Sequence, residues 1–163
     1  MADEKTPLIT DAMRAEIGKE GPSRLSEVDK TAVRIFARSV GHTDPVYYDE
    51  AAAKAAGYRS LPCPPGYLGT PLFKPGGQEG GPPMQGGGAQ PSRPLNRVLN
   101  GGTDIEYLDD ICAGDVLTSK SHLAQLEERT GSIGDMLIST NKTVYTNQDG
   151  KVVAIATGTG IRY

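Results

Sequence analysis

The decapeptide GHTDPVYYDE, residues 41–50, gathers one imidazole (His42), two phenols (Tyr47 and Tyr48) and the carboxylates of Asp44, Asp49 and Glu50. Such groups can take up a proton, donate one, or hold a water molecule against a polarised bond, which is the equipment of general acid–base chemistry. The stretch also has turn chemistry, with an Asp-Pro step followed by the alanine-rich run DEAAAKAAG. Asp49 and Glu50 favour the start of that helix through its dipole, and Gly57 ends it. A cluster of polar rings and acids is therefore delivered on a short, well-capped loop.

Few other residues compete for a chemical role. The chain has 2 histidines, and His122, in SHLAQLEER, is expected as a partly exposed strand residue far from the loop in sequence. Neither histidine stands at ligand spacing from another donor, so no metal is expected. Cys63 and Cys112 lie 49 positions apart, which suits neither a metal knuckle nor a redox pair, and both are expected as buried free thiols. The net charge of −3, with scattered Lys and Arg, offers no footprint for nucleic acid. No run of about 18 apolar residues is present to span a membrane. The opening MADEKTPLITDAMRAEIGKE carries charges throughout and has no apolar secretion core, so a cytoplasmic protein is expected.

The elements that must position the loop follow from periodicity and punctuation. The 163 residues fit one domain, 1–163, with residues 1–20 as an N-terminal extension that is helical or ordered, Asp11 being its candidate cap. In SEVDKTAVRIFARSVG, Ser26 is a candidate cap and Val33, Phe36, Ala37 and Val40 make an apolar stripe that stops at Gly41. The helix after Asp49 is almost all alanine on its packing side. It is expected to be wrapped by a sheet and to continue past Pro65. Residues 74–94 are dense in Gly and Pro without a hydrophobic period and are expected to form a flexible insertion. Its GGG lacks the GxxxxGK[ST] pattern of a phosphate-cradling loop. From residue 97 on, alternation in stretches such as DMLISTNKTVYT predicts strands. Turns are expected at Ala113-Gly114-Asp115, Thr130-Gly131-Ser132 and Asp149-Gly150. The fold class is α+β, an antiparallel sheet wrapped around a central helix.

Taken together, VDKTAVRIFARSVGHTDPVYYDEAAAKAAGYRSLPCPPGYL, the later LNGGTDIEYLDDICAGDVL and the closing NQDGKVVAIATGTGIRY resemble the MaoC-type hydratases and dehydratases. The likeness is greatest to the N-terminal dehydratase subdomain and to the non-catalytic subunit of hydroxyacyl-ACP dehydratases. It covers residues 21–163 apart from the Gly/Pro insertion and implies a hotdog fold. In that family the loop reads G-D-x-N-P-[IV]-H-x-D. Its Asp activates water and its His, five residues later, positions water and handles a proton. Here Pro45, Val46 and Asp49 match, Asp44 replaces the Asn, and the two dyad positions hold His42 and Tyr47.

The resemblance implies hydration of an enoyl thioester or dehydration of a 3-hydroxyacyl thioester. It calls for no cofactor, coenzyme A or acyl carrier protein being part of the substrate. Candidate substrate-binding residues are Asp44, Tyr47, Tyr48, Pro64, Gly66, Tyr67, Asn100, Gly101 and Gly102. Gly66, after the prolines of PCPPG, would place a backbone N–H at a helix start for the developing enolate, or would be part of a rigid connector. Asn100-Gly101-Gly102 would permit close approach of a ligand, or would mark a bulge.

Three readings of the loop stay open. His42 and Tyr47 are relics in the substrate-binding half of a heteromer, heterodimer or heterotetramer, whose MaoC-type partner subunit carries the Asp and His. Alternatively, they are the base and donor of a self-sufficient hydratase. In the third reading the cluster is a capped turn with packed aromatics. Outside catalysis, a homodimeric acyl-CoA-binding hotdog fits the same sequence. A thioesterase would have to use Asp44 or Asp49.

Overall fold

The computed structural model describes residues 6–72 and 89–163. Three helices, α1 (Asp11–Glu16), α2 (Lys30–Ser39) and α3 (Glu50–Ala55), accompany strands β1 (Arg24–Glu27), β2 (Thr70–Pro71), β3 (Val98–Tyr107), β4 (Val116–Gly131), β5 (Gly134–Thr146) and β6 (Val152–Arg162). The strands form one antiparallel sheet in the order β2-β1-β4-β5-β6-β3, built mainly from residues beyond 97 as the alternation predicts. It is the curled antiparallel sheet with few helices of an α+β hotdog. The long β4–β5 hairpin turns one step later than predicted. Gly131 pairs with Gly134, and Gly134, at φ +105°, supplies the left-handed conformation. The Asp149-Gly150 turn falls as predicted, with Asn147 Oδ1 accepting from the N–H groups of Asp149 and Lys151.

Two caps differ from expectation. Asp29, not Ser26, caps α2, its Oδ1 accepting from Thr31 N at 2.7 Å and Ala32 N at 3.2 Å. Ser26 is instead a buried residue of β1, because β1 must reach Glu27 to pair with β4. Thr10, not Asp11, caps α1, and Asp11 is its first helical residue. On α2, Val33 and Ala37 are fully buried and Phe36 packs beside them, whereas Val40 is 53% exposed because the helix has already ended at Ser39.

The central helix is shorter than expected. α3 spans Glu50–Ala55, with Gly57 at φ +96°, and does not resume after Pro65, where residues 65–66 form a turn. The three prolines of PCPPG withhold backbone donors and bias the residue before each away from helix. One alanine, Ala53, is fully buried. It joins Val28, Val33, Leu61, Leu117 and Val153 in the main core.

A second cluster lies towards the other end of the sheet, where Leu8, Ile9 and Met13 pack on Leu137 and Leu126. The N-terminal segment is thus part of the packed structure. Its residues Ile17 and Glu20 bridge β4 at Leu123 and His122. Of the Gly/Pro-rich stretch, 74–88 lies outside the described residues. Residues 89–94 are held down: Ser92 N donates to Leu8 O at 3.0 Å, Arg93 pairs with Asp135, and Ala89 packs on the second cluster.

Candidate active site

The loop is rigidly specified by its own acids. Asp44 Oδ1 accepts from Val46 N at 3.0 Å and opens a 3₁₀ turn over Pro45–Tyr47, with the proline at its start. Asp49 Oδ1 accepts from Ala52 N at 2.8 Å and caps α3. Both carboxylates therefore hold backbone. The Tyr48 hydroxyl donates to the His42 carbonyl, and Arg34 Nε on α2 donates to the Tyr48 carbonyl at 3.0 Å. The first bond closes the loop on itself and the second pins it to α2. They leave the side chains of His42 and Tyr47 as the groups not used in holding it.

His42 and Tyr47 lie side by side, ring centroids 5.1 Å apart and planes inclined at 38°, both half-buried. The two family dyad positions are thus brought together. Burial pushes the Tyr47 phenol above its usual range, and the nearby Tyr58 and the Asp44 carboxylate push the same way. At neutral pH this phenol is protonated: it can donate a hydrogen bond to a carbonyl or water, but it cannot act as a base.

The second group of candidates sits behind α2. Pro64 is buried, and Tyr67, 8% exposed, stacks against Phe36 with centroids 5.4 Å apart while its hydroxyl meets Thr70 Oγ1 at 2.9 Å. Tyr67 is a core aromatic. Gly66 is in a turn at φ +93°, not at a helix start, and its N–H is taken by the Tyr107 hydroxyl at 2.7 Å. Tyr107, at the end of β3, escaped sequence reasoning, because nothing in IEYLDD marks a tyrosine that reaches back 41 residues.

Asn100, Gly101 and Gly102 form the bulge that was one of their two readings, with Asn100 Oδ1 accepting from Gly102 N at 2.9 Å and the register shifting there. A methyl group on Gly101 would stand 2.8 Å from Thr159 Cγ2, so the close approach is to β6. Five to seven residues of strand, about 17–24 Å, separate them from Tyr107. They do not join the loop in this chain.

His122 is a half-buried strand residue, as expected. Cys112 is buried and Cys63 half-buried, both as free thiols, and burial pushes Cys63 up to about 12, which makes it unreactive. Among the described residues no three His, Cys, Asp or Glu side chains gather as a metal site would require. No helix among them is long and apolar enough to cross a membrane. Beneath α3 lies a buried charge. Asp115 receives Arg59 Nη1 at 2.5 Å, Cys112 N at 2.9 Å and Gln148 Nε2 at 3.1 Å. Burial alone would raise the Asp115 carboxyl, but these donors more than offset it and hold it below the usual range.

A curled antiparallel sheet with a capped loop at the head of an alanine helix defines the class: an α+β hotdog of the MaoC-like dehydratase type. The chain belongs to the family described as FAS1-like, dehydratase domain region, which matches residues 15–156. A UPF0336 protein of Streptomyces avermitilis is 33% identical over 68% of this chain and 70% of its own length. Among solved structures, the ChsH1-ChsH2 complex from Mycobacterium tuberculosis includes a chain that superposes with a TM-score of 0.70 at 18% identity, covering 93% of each chain. The C-terminally truncated HadBC complex, a 3R-hydroxyacyl-ACP dehydratase from the same organism, gives 0.63 at 21% identity, covering 93% of this chain and 98% of that one. At those identities the structures establish the fold.

Proposed function

We propose that this chain is the substrate-binding half of a hetero-oligomeric hydro-lyase that adds water to, or removes it from, the 2,3 position of an acyl thioester carried on coenzyme A or acyl carrier protein. The observation that carries the reading is the loop itself: its caps and Pro45 keep the family form, while the dyad positions hold His42 and a protonated Tyr47. Conserving the scaffold without the acid and base fits a chain that shapes a site and leaves proton transfer to a partner.

The partner's place is supplied by β3. Among the described residues it is an edge strand with one free side, and Val98, Leu99, Tyr107 and the adjacent Leu108 are all at least 41% exposed along it. An unprotected apolar edge is a pairing surface. A second hotdog chain adding its own edge there would extend the sheet and lie against Tyr107, hence against Gly66. Two hotdog chains of different sequence make up the complexes that this fold most resembles among the structures above, which supports a partner of that type.

The test is reconstitution. Purified alone, the chain should hydrate crotonyl-CoA no faster than buffer. Mixed with a MaoC-type chain bearing an intact D-x-N-P-x-H loop from the same cell, it should form a stable complex with hydratase activity. Robust activity of the single chain, abolished by His42→Ala, would overturn the proposal in favour of a self-sufficient hydratase. Tight acyl-CoA binding by a homodimer with no turnover in any mixture would favour a binding protein.

A further inference from the structure

The side of β3 that no other strand covers, among the described residues, carries a pattern of its own. Arg97 N and O exchange hydrogen bonds of 3.0 Å with Tyr163, and at the other end Leu108 N donates to Val153 O at 2.9 Å. In an antiparallel ladder, residues that bond one neighbour alternate with residues that face away from it. From the two ends inward, Val98 and Asn100, and then Thr103, Ile105 and Tyr107, turn their backbone groups to the free side. The bulge at Gly101 and Gly102 shifts that alternation from even to odd numbers.

Side chains follow the same count. Arg97 stands opposite Tyr163 and Glu106 opposite Ile155, so both lie on the outer face of the sheet, whereas Val98 and Ile105 lie on the inner one. Arg97 and Glu106 are exposed, and neither has an ion-pair partner among the described residues. The Arg97 guanidinium lies over the ring of Tyr163, 5.8 Å from its centroid, and meets no carboxylate. A cation near one end of an edge strand and an acid near the other, on one face, is what a two-fold antiparallel pair of identical strands requires.

We infer that β3 pairs antiparallel with β3 of a second copy of this chain, in the register that sets the two bulges against each other. That register places Val98 opposite Ile105 and Asn100 opposite Thr103, all of them residues whose backbone groups face the free side. It also places Leu99 opposite Asp104 and Arg97 opposite Glu106. Each guanidinium then meets one acid directly across and Asp104 on the diagonal. Two-fold symmetry makes every such pair twice. Other registers fail on the same counts. A slip of two residues sets each bulge against regular strand. Pairing the C-terminal halves alone sets Asp104 against Glu106, and like charges directly opposite repel. The contact involves no thioester chemistry, so it does not rest on the hydratase reading. A chain of different sequence that takes β3 has to displace the copy.

The test is self-association of the full chain, read by sedimentation without substrate or partner. The chain should form a reversible dimer that weakens as salt rises. Arg97→Glu and Glu106→Arg should each weaken it about tenfold, since one substitution turns two attractive pairs into two repulsive ones. Both substitutions together should restore it to within about threefold of the parent. Cysteine pairing reads the register directly. Leu99 and Asp104 would form a non-hydrogen-bonded pair, whose Cα atoms stand about 4.5 Å apart, within disulfide reach. Chains carrying Leu99→Cys and Asp104→Cys should link under mild oxidation when mixed, and neither should link alone. The parent, with half-buried Cys63 and buried Cys112, is the blank. A chain that stays monomeric overturns the inference and leaves β3 to a partner of another sequence. So does a dimer that the single charge reversals, melting at the parent temperature, leave unchanged, or a double variant no tighter than the single ones. So does a mixture of the cysteine variants that links no faster than either alone. Hydratase activity in the reconstituted mixture can be present or absent without altering any of these results.

Discussion

Rewriting the loop to His42→Asp with Tyr47→His should give this chain a weak hydratase activity. The size of the effect follows from the site. Tyr47 is held above a phenol's usual value of about 10, so at pH 7 less than about one molecule in a thousand is ionised. As a base it is depleted by at least ~10³-fold, or about 4 kcal/mol of barrier at 1.36 kcal/mol per tenfold. An imidazole at the same position titrates near neutrality and removes most of that handicap. The rings now stand 5.1 Å apart, which leaves room for a water between a carboxylate at 42 and an imidazole at 47. The backbone does not depend on either side chain. Tyr48 donates to the His42 carbonyl, and Asp44 and Asp49 hold the turns. Crotonyl-CoA hydration, followed by loss of the enoyl-thioester absorbance, should rise at least ~10²-fold above the parent chain. The single variants should give much less, since the pair acts as a unit. A correctly folded double variant that stays at the parent rate would refute the idea that the missing dyad is what silences this chain. In the mixed complex, His42→Ala and Tyr47→Phe should leave kcat within about twofold, and a rise in KM alone for Tyr47→Phe would mark a binding role.

Asp115→Asn should cost about 1–3 kcal/mol in urea unfolding, because a buried carboxylate with donors from Arg59, Cys112 and Gln148 becomes an amide while Arg59 remains partly solvated. The native carboxyl lies below its unfolded value, so its contribution is complete above about pH 4 and is lost as pH falls through the folded value. The gap between parent and variant should close in acid, and a gap that persists there would show it is not electrostatic. Gly101→Ala should lower stability by about 1–3 kcal/mol, since the new methyl meets Thr159 Cγ2 at 2.8 Å and its carbonyl at 3.1 Å, and only the side chain can yield. Leu99→Lys with Leu108→Lys should weaken association with a partner chain by at least about tenfold in sedimentation without moving the monomer's melting point. A shift in melting point would mean that these residues pack within the chain.

Much of the architecture is legible because it rests on short-range signals. Asp49 before an alanine run and Gly57 after it set the ends of α3, and Asp149-Gly150 sets a hairpin. Errors arise where tertiary pairing overrides a local signal. Ser26 has the chemistry of a cap, yet the strand pairing of Glu27 with Val116 draws it into β1 and passes the cap to Asp29. The continued helix after Pro65 fails because PCPPG obeys its prolines. In the site, the pair His42–Tyr47 is picked out by the resemblance to the family's loop, and one turn brings both rings together. Tyr107 and Arg59–Asp115 are not, because each joins residues that lie tens of positions apart in the chain.

The short helix and the bare strand edge bear on one another. A hotdog sheet normally buries its inner face on its own helix. Here α3 contributes one fully buried alanine to that face. Between Leu117 at one end and Leu123, Leu126 and Leu137 at the other, that face carries Ser119, Ser121, Thr143 and Ser139, which bury little apolar surface. Burial lost from the interior of a small domain has to be recovered elsewhere. The N-terminal cluster of Leu8, Ile9 and Met13 recovers part of it at one end, and the exposed apolar residues along β3 would recover more if a second chain paired there. Among the described residues the short α3 and the exposed β3 edge are thus two sides of one shortage of burial. A second chain pairing along β3 would therefore add to stability as well as complete a sheet, and the melting temperature should rise with the concentration of any chain that pairs there.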